Sequence, residues 1–142
     1  MPVRKSEAQW NGNFQDGEGS MKIVNGTTFN ENYSYASQFE DGLGSNPEEL
    51  IAAAHAGCYS MALSDTLAKA NYNPKKVNTK AEVIFEVTNN GAAISAIKLQ
   101  CTADVPNIDI TEFLKYAEGA KAECPVSKAL SVTDISLEAE LL

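Results

Sequence analysis

The feature that most constrains this chain is a long helix with a clearly marked start. Asn46 is a favourable N-cap, Pro47 suits the first helical position, and Glu49 falls at the third, which makes a capping-box arrangement. The helical pattern runs to about Ala70, where the sequence Asn-Tyr-Asn-Pro at 71–74 stops it. The sequence therefore predicts one long helix near the middle of the chain.

This predicted helix is apolar on nearly every side. Between residues 50 and 63 its clearly polar side chains are His55 and Ser60. A helix that is apolar all round is surrounded by protein. A chain of 142 residues is long enough for one domain, which we assign to residues 1–142. Because one small domain does not suffice to surround the helix, we expect a partner subunit. The apolar stretch is also shorter than the ~20 residues that a membrane span needs.

Strands are predicted before the long helix. Residues 5–40 read as short strands, with turn signals at Asp16-Gly17 and at Asn25-Gly26. Residues 34–39 are predicted to form the third of these strands, followed by a glycine-rich loop. Three strands are therefore expected before the helix begins.

A strand pair, a second helix and a last strand are predicted after the long helix. Residues 77–87 and 93–105 are the strand pair, and apolar and polar side chains alternate in the second of them. Asp109 opens a helix, and a short helical turn is expected at 126–130. Alternation from Ile135 onward predicts the last strand. The resulting order, βββ-α-ββ-α-β, indicates an α+β fold.

The charge balance excludes several classes of partner. The chain has 19 acidic and 11 basic residues, a net charge of −8, so nucleic acid and anionic membranes are not expected partners. Arg4 is the only arginine, which excludes an arginine-lined anion site. No apolar run follows the charged N-terminal residues, so we expect no secretory signal and a cytoplasmic location. The three cysteines are therefore expected to be reduced thiols.

His55 and Cys58 lie one turn apart on the same face of the predicted long helix. The pair fits a nucleophile and its base, half of a metal site, or a histidine that forms a hydrogen bond at a helix interface beside a small core residue. Burial would raise the pKa of the Cys58 thiol, so reactivity there requires a polar partner. A zinc site would need His55 and all three cysteines, and since the sequence has no C-x-x-C pair we expect no metal.

The other two cysteines stand in different settings. Cys101 lies on the apolar face of a predicted strand, which favours a core residue. Cys124 ends a predicted helix and precedes Pro125, a position that is typically accessible and mobile and suits a resolving thiol. Only the fold can bring Cys124 near Cys58.

Three segments of the chain resemble the OsmC family, the osmotically inducible protein C group. They are NPEELIAAAHAGCYSMAL at 46–63, AKAECPVSKAL at 120–130 and AQWNG at 8–12. The likeness covers nearly the whole chain, and two cysteine motifs at this separation are specific. His55 and the sequence at 126–130 are similar to the OsmC branch rather than to its sister branch, the organic hydroperoxide resistance proteins.

This resemblance implies a thiol peroxidase. It implies an intertwined homodimer, in which the long cysteine-bearing helices pack centrally on antiparallel sheets. Cys58 would attack the O–O bond of an organic hydroperoxide, or of hydrogen peroxide, and become a sulfenic acid. Cys124 would then condense with it to a disulfide, which a dithiol reductant such as a lipoylated protein reduces. No cofactor is expected.

Gln38 is the position at which the chain departs from the family pattern. The resemblance assigns to Glu48 the orienting of an arginine that holds the thiolate, yet Gln38 stands at the arginine's position. Glutamine donates hydrogen bonds but brings no charge, and an opposite charge nearby lowers a thiol pKa by roughly 1–3 units. A second function therefore stays open, a relative with weakened activity that binds a ligand or senses oxidants. A third alternative is a structural protein with all thiols in the core, against which the two cysteine motifs argue.

Overall fold

The chain divides into two units near the start of the long helix. The structure, a computed structural model, describes residues 2–24 and 29–142. The first unit ends at Leu50, and the second runs from Ile51 to Leu142. The expectation of one domain over 1–142 stays a prediction. None of the helices within the described ranges combines the length and the apolar character that a membrane crossing needs.

A three-stranded antiparallel sheet opens the first unit. Its strands, in sheet order, are β1 (Ser6–Asn11), β2 (Glu18–Ile23) and β3 (Asn30–Tyr33). The predicted turn between β1 and β2 is present. Glycine is required at Gly17 because an added Cβ would lie 2.4 Å from the carbonyl oxygen of Asn13. The predicted hairpin turn at Asn25-Gly26 lies outside the described residues.

The prediction of a strand at 34–39 is wrong, since this segment forms a short helix, α1 (Tyr35–Phe39). Two serines determine the outcome. Ser34 Oγ accepts a hydrogen bond from the N–H of Ser37 at 3.2 Å, and Ser37 Oγ accepts one from the N–H of Ser34 at 2.8 Å. This reciprocal capping starts a helix, although serine stands where a capping box usually has glutamate or glutamine. The third strand, β3, lies earlier in the chain.

Helix α2 (Pro47–Lys69) begins where the sequence predicts. Asn46 caps it, because its Oδ1 accepts a hydrogen bond from the N–H of Glu49 at 2.8 Å. A buried stripe follows the helix at every fourth position. The stripe consists of His55, Tyr59, Leu63 and Leu67. Much of the helix surface outside this stripe is open, and Met61 is 75% exposed, so the chain alone leaves part of the helix's apolar surface uncovered.

The second unit contains α2 from Ile51 onward, a second sheet and two more helices. Along the chain these elements are β4 (Lys76–Thr88), β5 (Gly91–Asp104), α3 (Ile110–Glu123), α4 (Pro125–Ala129) and β6 (Asp134–Leu141). Asp109 caps α3 as predicted, and its Oδ1 accepts from the N–H of Thr111 at 2.7 Å. The predicted order βββ-α-ββ-α-β and the α+β class are confirmed. The short helical turn expected at 126–130 is α4, and α1 is an additional short helix.

The second sheet has the order β4-β5-β6, and its pairing differs in part from the expectation of antiparallel sheets. β4 and β5 are antiparallel, whereas β6 runs parallel to β5. The segment between β5 and β6 contains α3 and α4, and a crossover of this kind returns the chain to run in the same direction. Alternation along a single strand does not reveal the direction of its partner.

The core of the second unit lies between this sheet and the helices. The predicted alternation of β5 is confirmed, since its apolar positions are buried. They are Ile97, Leu99, Cys101 and Ala103. The buried side chains of α2 and α3, among them Leu63 and Phe113, belong to the same cluster. This packing fixes α2 against the sheet and so positions Cys58.

Candidate active site

The structure brings Cys58 and Cys124 into contact. Cys58 lies on α2, and Cys124 lies at the junction of α3 and α4. Their Sγ atoms are 3.1 Å apart, although the two residues are 66 positions apart in the sequence. All three cysteines of the chain are free thiols. The distance exceeds the ~2.05 Å of a disulfide bond, so the two thiols touch without being bonded.

Cys58 is the more accessible member of this pair. Its side chain is half-buried. Burial raises the pKa of the Cys58 thiol and the contact with Cys124 raises it further, while the backbone N–H of Val126 acts in the opposite direction. Protein groups of this unit therefore leave Cys58 mainly as a thiol at neutral pH.

Cys124 is fully buried, with 0% of its surface exposed, which contradicts the expectation of an accessible and mobile position. It is the C-cap of α3 and the N-cap of α4, and the packing of both helices encloses it. Burial alone would raise the pKa of the Cys124 thiol. The backbone N–H groups of Ser127 and Val126, with the side chains of Cys58 and Ser127, outweigh burial and lower this pKa. Although Cys124 is the N-cap of α4, its side chain accepts no regular capping hydrogen bond.

His55 makes a second contact between α2 and α4. Its Nε2 lies 2.7 Å from Ser127 Oγ, and both residues are buried. Burial lowers the pKa of His55, so the imidazole is neutral. Of the alternatives for His55, the structure supports a hydrogen-bonded histidine at a helix interface. Among the described residues no group of three or more His, Cys, Asp or Glu side chains is arranged to hold a metal ion.

Cys101 lies in the core, as predicted. It is 2% exposed on β5 and faces Thr79 across the strand pair. Burial raises the pKa of the Cys101 thiol, and a hydrogen bond with Thr79 opposes this effect. Because it is buried and its pKa is raised, the Cys101 thiol is expected to be unreactive.

Gln38 and Glu48 form a pair within the first unit. Gln38 Nε2 donates a hydrogen bond to Glu48 Oε1 at 2.9 Å. Glu48 Oε2 is buried and has no hydrogen-bond partner among the described residues. Asn46 ties this helix start to α1, because its Nδ2 donates to the carbonyl oxygen of Ser37 at 3.0 Å. The structure thus joins Glu48 to the residue at the arginine position, with one carboxylate oxygen left unpaired.

Sequence reasoning missed two groups beside the thiols, Ser127 and the backbone N–H of Val126. Both belong to the first turn of α4, directly after Cys124. The signal was present, because N–H groups at a helix start act on the residue that caps it. A cysteine followed by proline and, two residues later, by serine is such a start.

Comparison with known proteins identifies the family. The model of the OsmC-like protein family matches residues 40–140. Peroxiredoxin OsmC of Escherichia coli (strain K12) is 39% identical over 138 residues, which cover 97% of this chain and 96% of that protein.

Solved structures with the same fold are similar to this chain at low sequence identity. An OsmC-like protein of unknown function from Vibrio cholerae has a TM-score of 0.77 at 15% identity, covering 98% of this chain and 99% of that one. The organic hydroperoxide resistance protein OhrB of Bacillus subtilis has a TM-score of 0.67 at 19% identity, covering 97% and 98%. The chain therefore belongs to the OsmC family, and the predicted enzyme class, a peroxidase, is confirmed by the nearly full-length likeness to Peroxiredoxin OsmC.

Proposed function

We propose that this chain reduces organic hydroperoxides with Cys58 as the attacking thiol and Cys124 as the resolving thiol. The observation that carries the proposal is the 3.1 Å contact between the two Sγ atoms. Two thiols from distant segments that touch inside a folded chain can form a disulfide with little movement. Cys101, the third thiol, is enclosed in the core and is left out of the reaction.

The proposed reaction has two chemical steps. The Cys58 thiolate attacks one oxygen of the peroxide, the O–O bond breaks, and the alkoxide leaves and takes a proton to become an alcohol. Cys58 is then a sulfenic acid. The Cys124 sulfur attacks the Cys58 sulfur, the S–O bond breaks, and hydroxide leaves as water after taking a proton. An external dithiol, such as the lipoyl group of a partner protein, exchanges with the disulfide and restores both thiols.

Accessibility supports Cys58 as the attacking residue. Cys58 is half-buried, whereas Cys124 is fully buried, so a peroxide meets Cys58 first. The pKa values favour the other thiol as the thiolate, because the pKa of Cys58 is raised and that of Cys124 is lowered. A thiolate that no peroxide reaches cannot attack one, but it is well prepared to attack a neighbouring sulfenic acid.

The test is to treat the reduced protein with one equivalent of an organic hydroperoxide and map its disulfides by mass spectrometry. A Cys58–Cys124 bridge with Cys101 free is expected. Cys101→Ser is the matched control and should form the same bridge, while Cys58→Ser should consume no peroxide. A bridge that contains Cys101, or consumption that persists in Cys58→Ser, would overturn the assignment.

The proposal includes a homodimer. Its support is the uncovered apolar surface of α2, where Met61 is 75% exposed and Gly57 is exposed beside it. A second copy of the chain would bury this surface. Analytical sedimentation should give twice the mass of 15.2 kDa, and a stable, folded monomer would contradict the proposal. A cytoplasmic location stays a prediction.

Two observations favour a second function. Glu48 is paired with the neutral Gln38 instead of a cation, and burial raises the pKa of Cys58. The resemblance gives the missing cation the task of holding the thiolate, and a raised pKa reduces the thiolate share, so both observations favour a slow thiol, as in a relative that senses oxidants or binds a ligand. Stopped-flow measurement of thiol loss against pH separates this function from a fast reductase.

A further inference from the structure

Two side-by-side contacts join α2 to the start of α4. One is the thiol pair, Cys58 and Cys124, and the other is His55 with Ser127. His55 precedes Cys58 by three positions, and Ser127 follows Cys124 by three, so each contact lies one turn from the other on both helices. His55 and Ser127 are 0% and 5% exposed. This polar pair is therefore built into the wall of the thiol site.

Ser127 lies three positions after Cys124, in the first turn of α4. Its backbone N–H and its hydroxyl both favour the thiolate form of Cys124. The charged neighbours along the chain are engaged elsewhere, since Lys128 and Glu123 form an exposed ion pair at 3.3 Å. Ser127 is therefore a local group through which the protein stabilises negative charge on this sulfur.

The position of the imidazole proton follows from the partners of the ring. Nδ1 of His55 is buried and has no hydrogen-bond partner among the described residues. A buried N–H without a partner is rarer than a buried acceptor without one, so the proton of the neutral ring is assigned to Nε2. Nε2–H then donates to Ser127 Oγ at 2.7 Å. Because Ser127 Oγ accepts from the ring, its own O–H is free to donate to the Cys124 sulfur.

We propose that His55, acting through Ser127, is a positioning residue for disulfide formation. It holds the Ser127 hydroxyl so that the hydroxyl donates to Cys124 and prepares that sulfur to attack. This inference rests on the proposed function, since it concerns the second step of that reaction. In that step the Cys124 sulfur supplies the electron pair of the new S–S bond, and the departing hydroxide takes a proton to become water. His55 and Ser127 touch neither the peroxide nor the leaving oxygen.

The first test is a titration of the Cys124 thiolate by its ultraviolet absorbance, in a protein with Cys58→Ser and Cys101→Ser. Ser127→Ala and His55→Leu should both move this titration to higher pH. Ser127→Thr, which keeps the hydroxyl, and His55→Gln, which keeps an N–H donor, should stay near the parent. Ser131→Ala is the matched control, because Ser131 is an exposed serine just beyond α4.

The second test measures disulfide formation with all three cysteines present, by rapid acid quenching after a pulse of organic hydroperoxide. Ser127→Ala is expected to slow the conversion of sulfenic acid to disulfide by roughly three- to tenfold, the range that the loss of one hydrogen bond supports. Ser131→Ala should convert at the parent rate. Ser127→Ala should slow this conversion more than it slows peroxide consumption.

The outcomes separate this inference from the proposed function. If the parent consumes no peroxide, the proposed function fails, and the titration still decides whether His55 and Ser127 act on Cys124. If Ser127→Ala and His55→Leu titrate like the parent, the inference is wrong even when the disulfide forms. Should His55→Leu fail to fold, as judged by circular dichroism, the pair Ser127→Ala and Ser127→Thr decides alone, and equal titrations in these two would overturn it.

Discussion

Replacing Gln38 by arginine tests whether Glu48 is an incompletely paired carboxylate. Glu48 Oε1 accepts one hydrogen bond, from Gln38 at 2.9 Å, and its buried Oε2 has no partner among the described residues. A guanidinium carries a fork of donors that fits both oxygens of a carboxylate. Gln38→Arg is therefore expected to pair the second oxygen and to stabilise the first unit.

The expected gain follows from two opposing quantities. A hydrogen bond to a charged group contributes about 1.5–3 kcal/mol to the free energy of unfolding. The arginine side chain loses rotamer entropy of up to ~2 kcal/mol when it is held in place. Because Gln38 is already held by its hydrogen bond to Glu48, only part of this entropy loss is new. The expected net gain is about 1 kcal/mol, which corresponds to a rise in Tm of roughly 3 °C for a chain of this size.

Thermal and urea unfolding, followed by circular dichroism, measure this gain. The control is Gln9→Arg, which adds the same charge to the acidic chain at an exposed position in β1 where the side chain contacts Asn11. Gln38→Arg should exceed this control by about 1 kcal/mol. An equal gain in both variants would show that net charge alone is responsible, and the pairing argument would be refuted.

Two further substitutions test the packing that holds α2. Tyr59→Phe removes the hydroxyl that donates to the carbonyl oxygen of Ala117 at 3.0 Å, and it is expected to lower the free energy of unfolding by about 1 kcal/mol in urea titrations. Leu63→Ala opens a cavity at a position that is 0% exposed and is expected to cost about 2–5 kcal/mol. Leu43→Ala, at a position that is 99% exposed, should change stability by less than ~0.5 kcal/mol. Equal costs for the two leucine variants would contradict the burial of Leu63.

Features set by neighbours in the sequence were predicted well. The start of α2 depends on Asn46 and Pro47, and the cap of α3 depends on Asp109, so short-range patterns suffice for both. The buried face of β5 follows from alternation alone. The OsmC-like fold was also predicted, but from the resemblance of motifs and not from these local rules.

Features set by distant contacts were not predictable in the same way. The parallel pairing of β6 depends on where α3 and α4 return the chain, which no local pattern records. The burial of Cys124 depends on two helices that pack around it, and a cysteine before a proline looks accessible when only its neighbours are considered. Helix α1 was missed for a different reason, since the third position of its capping box is Ser37 and not the usual glutamate or glutamine.

The peroxide reaction of Cys58 is expected to accelerate as the pH rises. Burial raises the pKa of this thiol and the neighbouring Cys124 raises it further, with the N–H of Val126 acting against both. The thiolate is the nucleophile, so a raised pKa reduces its share at neutral pH. The rate of thiol loss should therefore grow by about tenfold per pH unit until the pKa of Cys58 is passed.

Two variants identify the cause of this pH dependence. Cys124→Ala removes the neighbour that contributes to the raised pKa, so its profile for the first step should shift to lower pH than that of the parent. Cys101→Ala alters a core thiol and should keep the parent profile. Stopped-flow traces with an organic hydroperoxide give all three profiles. A parent rate that is independent of pH from neutral upward would mean that another group activates Cys58, and the reasoning from burial and from Cys124 would be wrong.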